Sequence, residues 1–193
     1  MEELLYRPNN DKSGYKFWMA YPACESFALS SLGYMWLSRI ADLMDGINAE
    51  RVFTDSKAIN IFPNEVQSIA FSLSFDFDFM GVFEVLEKYN IPFLSEDRDD
   101  NSPIIFAGGP VITTNPEPYK KIFDFMIIGD GEIVFEETLK ILKKNLDKKT
   151  TLEKLATLDA VTSTATHFVL RKYKDKGVIF QTPEKDERDS CMS

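Results

Sequence analysis

Two glycine-bearing segments, each directly after a short apolar run, constrain the fold of this chain most. Ala107-Gly108-Gly109-Pro110 follows the apolar run 103–106, and Ile128-Gly129-Asp130-Gly131-Glu132 follows the run 123–127. A buried strand that ends in glycine and leads into a helix is a place where the backbone can approach a ligand closely. Two such ends in one chain predict a parallel sheet with a cleft for a cofactor or a partner domain at one edge.

Apolar strand-like segments alternate with segments of helical periodicity along most of the chain. The predicted strands are 17–21, 51–54, 68–73, 104–107 and 125–128. The predicted helices are 29–43, with Ser30 or Ser31 as cap, 79–86 and 132–144. Such alternation indicates a parallel sheet that is covered on both faces. We therefore predict a flavodoxin-like (Rossmann-like), doubly wound α/β fold with five parallel strands and a small C-terminal extension.

Changes in composition divide the chain into three parts. We predict a polar N-terminal segment over 1–16, the α/β domain over 17–146 and a charged connector over 147–193. Within the connector, 167–170 and 178–181 have the character of short strands. A chain of this length holds one domain with an appendage.

Composition narrows the class of protein. Apolar residues make up 44% of the chain and phenylalanine alone contributes 16 residues, which argues against disorder. The net charge of -9 makes a nucleic-acid-binding surface an unfavoured interpretation. Cys24 and Cys191 form neither a disulfide framework nor a metal-ligand spacing. No apolar run approaches the ~18 residues of a membrane span and the N-terminus has no signal pattern, so we expect a cytoplasmic protein without membrane contact.

The candidate binding residues lie where the predicted strands end, because ligands of open α/β sheets bind beyond the carboxyl ends of the strands. The predicted cofactor-binding residues are Ser72, Leu73, Ser74, Gly108, Gly109, Pro110, Gly129, Asp130, Gly131 and Glu132. Each group has a second interpretation: the serines cap the next helix, and the glycine pair forms a tight turn. Asp130 and Glu132 suit a helix start but disfavour a phosphate there, and neither a Walker loop nor a GxGxxG motif is present.

Other chemically notable residues favour structural interpretations. His167 is the single histidine and lies in the connector, so we predict a packing or surface residue rather than a catalytic one. The charged run 97–100 is typical of a solvated loop. For Cys24 we expect a buried, inert thiol, the alternative being a reactive thiol with a lowered pKa. We predict no catalytic residue and no metal site in this chain.

Seven short segments occur in a characteristic order. Each segment alone is a weak signal, whereas the ordered set is specific. They are 25–33, 49–53, 69–75, 90–93 with Asp97-Arg98, 107–110, 115–118 and 128–132. In this order, over residues 17–145, the chain resembles the N-terminal cobalamin-binding-type domain of a group of radical S-adenosylmethionine (radical SAM) proteins. The resemblance implies an accessory domain that is not catalytic by itself and is joined in cis to a radical SAM barrel. That barrel would hold a [4Fe–4S] cluster on a CxxxCxxC motif and bind S-adenosylmethionine, making the whole protein a radical SAM enzyme. Neither motif nor barrel is present, so the chain resembles a fragment that stops before the radical domain.

The resemblance departs from the methionine-synthase type of cobalamin domain at one point. That type carries DxHxxG after its first strand, whereas residues 25–30 here contain no histidine. Cobalamin would therefore bind without a protein histidine ligand. Its nucleotide tail would enter between strands three and four, at the family positions matched by Ser72-Leu73-Ser74 and Gly108-Gly109. Phe27-Ala28 stands where relatives tend to have glycine, which favours a scaffold that has lost cofactor binding.

Two alternatives from other classes remain. The first is a flavodoxin-like electron carrier, in which the hydroxyls of Ser26, Ser30 and Ser31 meet the phosphate of FMN; Glu25 is unfavourable there. The second is a module for protein interaction alone. A yellow colour on purification would favour the flavin carrier, and a stable complex with a cluster-bearing chain would favour the interaction module.

Overall fold

A sheet of six strands organises the protein in the computed structural model, which describes residues 13–163, 174–175 and 178–179. The strand order is β2-β1-β3-β4-β5-β6. The strands are β1 (Tyr15–Tyr21), β2 (Ile47–Phe53), β3 (Ser68–Ser72), β4 (Ile104–Gly108), β5 (Phe125–Ile127) and β6 (Val161–Ser163). The first five pair in parallel, and β6 pairs antiparallel with β5. The predicted flavodoxin-like α/β fold with five parallel strands is confirmed.

Within the residues that the structure describes, six helices cover the two faces of the sheet. They are α1 (Glu25–Ala28), α2 (Leu32–Leu43), α3 (Asp78–Lys88), α4 (Pro110–Thr114), α5 (Gly131–Leu142) and α6 (Lys148–Leu155). Short 3-10 turns span Ser95–Asp97 and Glu117–Tyr119. Ser31 caps α2 as predicted, since its Oγ accepts a hydrogen bond from the Tyr34 amide. No helix among the described residues has the length and apolarity to cross a membrane.

Alternation along the buried strands divides the apolar interior into two cores. Phe17 and Met19 of β1 face the core beneath α2, α5 and α6, whereas Trp18 and Ala20 face the core beneath α3. Both sets are almost completely buried. Strands that are apolar on both faces are what a doubly covered parallel sheet requires.

Two strands begin earlier than their sequence indicates. β1 starts at Tyr15 and β2 at Ile47, and these two residues pair directly. Ile47 is fully buried, whereas the residues between it and Val52 are only partly buried. This weak apolar signal arises because β2 is the edge strand of the sheet.

The connector predicted from residue 147 starts with elements that pack on the α/β domain. Leu152 and Leu155 of α6 and Val161 of β6 belong to the core beneath α2 and α5. A second sheet pairs β7 (Lys174–Asp175) with β8 (Val178–Ile179). The predicted strand 167–170 and the end of the strand 178–181 lie outside the described residues, as does His167. The division of the chain at 146 stays a prediction.

The charged run 97–100 contains a buried cation, so the prediction of a solvated loop is wrong for Arg98. The Arg98 guanidinium donates to the carbonyl oxygens of Pro92, Phe93 and Ile122 and to Asp124 Oδ2 at 3.2 Å. Burial lowers the pKa of Arg98, and the Asp124 carboxylate opposes that effect. A buried charge is tolerated only when such partners replace water.

Candidate functional site

The predicted binding residues meet at one edge of the sheet. Ser72 pairs with Gly108 at the carboxyl ends of β3 and β4, and the Gly129 amide donates to Thr113 Oγ1 at 3.0 Å. Parallel strands bring their carboxyl ends to the same edge, so all ten residues lie there. We call this edge the carboxyl-end rim, meaning residues 22–31, 54–57, 72–77, 108–116 and 128–132. That these residues bind a cofactor stays a prediction.

Internal packing accounts for Gly109. Its φ is +112°, and a Cβ added there would lie 2.4 Å from the Leu73 carbonyl oxygen. Gly109 therefore lets the start of α4 sit directly against the end of β3. The positive φ fits the tight turn of the alternative interpretation, and the segment that approaches this glycine is the protein's own backbone.

The junction between β3 and β4 is closed by backbone hydrogen bonds. The Leu73 amide donates to the Gly108 carbonyl at 2.9 Å, and the Val111 amide donates to the Leu73 carbonyl at 3.4 Å. The Leu73 side chain is fully buried. The residues present therefore do not fit a cobalamin tail inserted between these two strands.

Ser72 ends β3, and Ser74 lies in the turn that leads to α3. The Asp78 carboxylate accepts hydrogen bonds from the amides of Ser74 and Phe75, at 2.6 and 2.8 Å. Asp78 thus fixes the turn that leads into α3. The N-cap position of α3 is Phe77 and no side chain caps this helix, so the alternative in which the serine hydroxyls cap it is wrong. Asp130 occupies the predicted N-cap position of α5, but its side chain makes no capping hydrogen bond.

The hydroxyls after β1 bond to their own loop. Ser30 Oγ donates to the Phe27 carbonyl at 2.7 Å, and Ser31 Oγ accepts from the Tyr34 amide. Ser26 Oγ lies 3.2 Å from Cys24 Sγ, and this hydrogen bond lowers the pKa of the Cys24 thiol. Cys24 is partly exposed, so the prediction of a buried thiol is wrong. These contacts give the FMN alternative no preformed phosphate site.

Most of the apolar stripe that predicts α2 faces solvent; only Ile40 of the stripe packs on the core. Leu32 is 78% exposed and Trp36 is 54% exposed, and Leu29 and Leu43 are also exposed. The residues that α2 buries are Tyr34, Ser38 and Ala41. Periodicity locates this helix correctly, yet the sheet is contacted by a face centred on Tyr34, whose hydroxyl donates to the Met19 carbonyl at 2.9 Å.

A second exposed apolar group follows β3. Phe75 is 69% exposed, Phe77 is 88% exposed and Met80 is 65% exposed. Within the described part of the chain, seven of the nine exposed large apolar side chains lie at the rim or in the adjoining turns of α2 and α3. We call these seven the apolar patch: Phe27, Leu29, Leu32, Trp36, Phe75, Phe77 and Met80. The apolar patch is not among the features predicted above from the sequence. The alternation of phenylalanine and aspartate over 75–79 is the sequence signal that could have indicated exposed aromatic side chains.

Gly81 packs the start of α3 against the loop after β1. A Cβ added at Gly81 would lie 1.9 Å from the Pro22 carbonyl oxygen, so the first turn of α3 packs directly on the loop after β1. The exposed side chains of α3 and those of α2 lie on helices that cover opposite faces of the sheet, and the loop after β1 runs between these helices. Exposed apolar groups of this size at the edge of a domain mark an interaction surface.

The rim carries acidic charge beside the apolar patch. Glu25, Asp55, Asp76 and Asp130 are exposed. Lys57 is the one basic residue within the rim as defined above, all of which the structure describes. The complementary surface of a partner would be apolar and basic.

Two cavities flank the sheet. A groove of about 490 Å³ beside the apolar patch is lined by Trp36, Arg39, Arg51 and Glu132 together with residues of the first turns of α2. A cleft of about 330 Å³ lies at the opposite, amino end of the strands, next to Tyr15 and Ile104. The described residues contain no cluster of three or more metal-ligating side chains.

Comparison with known proteins supplies the family. The family model described as "Radical SAM proteins, N-terminal" matches residues 33–169, more than two thirds of the chain. The chain belongs to this family of N-terminal domains of radical SAM proteins. The match begins at the second residue of α2 and runs past β6, so it includes most of the α/β domain and the start of the connector.

A second similarity is short. Over 36 residues the chain is 56% identical to an uncharacterized HTH-type transcriptional regulator, YugG, of Bacillus subtilis (strain 168). These residues make up 19% of this chain and 22% of that protein. The chain therefore spans about a fifth of the curated relative that it matches. No solved structure matches the chain.

Proposed function

We propose that this chain is an accessory domain of a radical SAM protein and that its carboxyl-end rim packs against the radical SAM domain of the same polypeptide. The observation that carries the proposal is the apolar patch on the rim, in a domain whose family forms the N-terminal part of radical SAM proteins. The [4Fe–4S] cluster, S-adenosylmethionine and the reaction itself belong, in this proposal, to that other domain.

Amide hydrogen exchange tests the proposal. We compare this chain alone with the polypeptide that carries both domains. The loop 25–31 of the rim is expected to exchange at least about tenfold more slowly in the polypeptide, because a packed interface excludes water from its backbone. The loop 60–64, which is joined to the amino end of β3, serves as the control and is expected to exchange equally in both. We call the packing of the carboxyl-end rim against the radical SAM domain rim docking. Equal exchange of loop 25–31 in both proteins would refute it.

Cobalamin needs a separate test. We infer that the domain does not bury a cobalamin tail at this edge, and the closed β3–β4 junction supports this inference. Hydroxocobalamin is mixed with the purified chain, and the visible spectrum of the corrin is recorded before and after gel filtration. We expect an unchanged spectrum and no co-elution. A shifted spectrum that co-elutes with the protein would overturn this inference and leave rim docking untouched.

A further inference from the structure

We propose that the loop 75–80 is the anchor of this domain, inserting Phe77 into an apolar pocket with basic margins on the radical SAM part of the polypeptide. The proposal rests on the proposed function and names the residue and the partner chemistry that carry it. We call this segment the Phe77 loop. It consists of the last three residues before α3 and the first three residues of that helix.

The Phe77 loop is held in one conformation by its own contacts. Asp78 Oδ2 accepts from two amides at the start of the loop, and the Met80 amide donates to the Phe77 carbonyl at 3.0 Å. Behind it, Gly81 packs on the Pro22 backbone. A loop that is already ordered loses little conformational entropy when it binds, which is what an anchor requires.

The side chains that the loop presents suit an interface centre. Phe77 is the most exposed large apolar side chain among the described residues. Phe75, two positions earlier in the sequence, is 69% exposed. Rigid aromatic side chains that fill a partner's pocket supply most of the free energy of many interfaces. Phe79, by contrast, turns inward and packs edge-on against Phe83 and Tyr119. One aromatic ring of the loop therefore packs within the domain, and the other two are exposed to solvent.

Charge selects the partner surface. Asp76 is exposed and lies between Phe75 and Phe77 in sequence. Glu25, Asp55 and Asp130 are further exposed acids of the rim, beside Lys57 and the Lys88 ammonium, which donates to the Thr54 and Ser56 carbonyls. A partner with acidic margins would be repelled, so the pocket that receives Phe77 must be lined by lysine or arginine at its edge. Raising the ionic strength from about 0.1 M to about 1 M shortens the Debye length from about 10 Å to about 3 Å, which weakens this contribution.

The experiment uses the polypeptide that carries both domains, with exchange of the loop 25–31 as the readout. Phe77→Ser is expected to speed exchange of that loop by about tenfold or more, because the anchor holds the whole rim. Phe62→Ser is the matched control: Phe62 is 56% exposed but lies in the segment before β3, at the other end of the sheet. This variant is expected to leave exchange unchanged. Because Phe77 makes little contact with its own domain, unfolding of Phe77→Ser in this chain alone should match the wild type.

Reversing the charge of Asp76 is a second experiment, which tests the basic margin of the pocket. Asp76→Lys is expected to speed exchange of loop 25–31 at low salt, and the difference from wild type should shrink at about 1 M salt. Asp100→Lys makes the same substitution in the cleft at the amino end of the strands and is expected to have no effect.

The outcomes separate the two proposals. If wild-type loop 25–31 is protected and Phe77→Ser leaves it protected, the anchor is overturned while rim docking stands. If protection depends on Phe77 but not on Asp76, the apolar pocket stands and its basic margin is overturned. If wild-type loop 25–31 is not protected in the first place, rim docking and the anchor both fail.

Discussion

Arg98 and Asp124, 26 positions apart, form an ion pair that is closed to solvent, with 3.2 Å between Arg98 Nη2 and Asp124 Oδ2. The other carboxylate oxygen accepts from Lys148 Nζ at 3.0 Å, and Oδ2 also accepts from the Ile105 amide at 2.7 Å. Asp124 therefore ties the loop before β4, the start of β5 and the start of α6 to one point at the amino end of the sheet.

Loss of this carboxylate should be costly. Asp124→Ala leaves Arg98 buried without its counter-charge, and we expect the free energy of unfolding to fall by about 3–5 kcal/mol. Urea denaturation followed by circular dichroism measures the change. The control is Lys140→Gln, which removes the exposed contacts with Glu136 and Glu137 and should cost less than about 1 kcal/mol. Similar losses in the two variants would contradict the importance of burial.

The two positive-φ glycines of the rim should respond differently to a methyl group. Gly109→Ala meets the Leu73 carbonyl at 2.4 Å, whereas a Cβ at Gly129 has nothing within 4 Å. Both substitutions incur the conformational cost of a positive φ, about 1–2 kcal/mol. Gly109→Ala should lose about 1–3 kcal/mol more, because the strand end and α4 must separate. Equal unfolding midpoints in urea would show that the two chain segments are not in close contact.

Two helical glycines form a second matched pair. Gly81→Ala should destabilise the domain by about 1–3 kcal/mol or more, since α3 must move away from the Pro22 carbonyl. Gly33, in the first turn of α2, has open space around an added Cβ. Gly33→Ala should therefore be neutral or stabilise the domain by up to about 1 kcal/mol through helix propensity. Thermal unfolding of both variants is the measurement, and a stable Gly81→Ala protein would refute the close packing of α3 on the rim.

Stability should decline in alkali because of Tyr15. Burial raises the pKa of Tyr15 to about 12. The unfolded chain releases the phenolic proton near pH 10, while the folded chain retains it up to about pH 12. Ionisation of Tyr15 therefore leaves the free energy of unfolding unchanged below pH 10. As the pH rises to 12, it lowers the free energy of unfolding by about 3 kcal/mol in all. Burial raises the pKa of Tyr34 as well, so this residue acts in the same direction.

Tyr15→Phe tests the alkaline effect. The variant cannot ionise at this position, so its free energy of unfolding should fall less steeply than that of the wild type between pH 10 and 11.5. Urea midpoints at pH 8 provide the reference at which ionisation contributes nothing. Parallel pH curves for the two proteins would exclude Tyr15 as a source of the decline.

Local patterns in the sequence determined the fold class of this protein. Alternating strand and helix periodicities, together with glycines after apolar runs, place β3, β4, β5 and α5 close to their observed positions, because each signal resides within a dozen residues. The same signals bring Ser72, Gly108 and Gly129 to one edge, since parallel strands must end together. The family resemblance rested on the same segments, and the match over 33–169 shows the radical SAM family.

Tertiary structure alone decided which surfaces are buried. Periodicity finds α2 but not the face it turns inward, and packing of Tyr34 against Tyr21 and Phe53 leaves Leu32 and Trp36 outside. The burial of Arg98 depends on a carboxylate that comes next to it only when β5 joins the sheet. Contacts between residues far apart in sequence leave no periodic trace, and so the sequence located the edge of this domain while only the fold placed its apolar surface there.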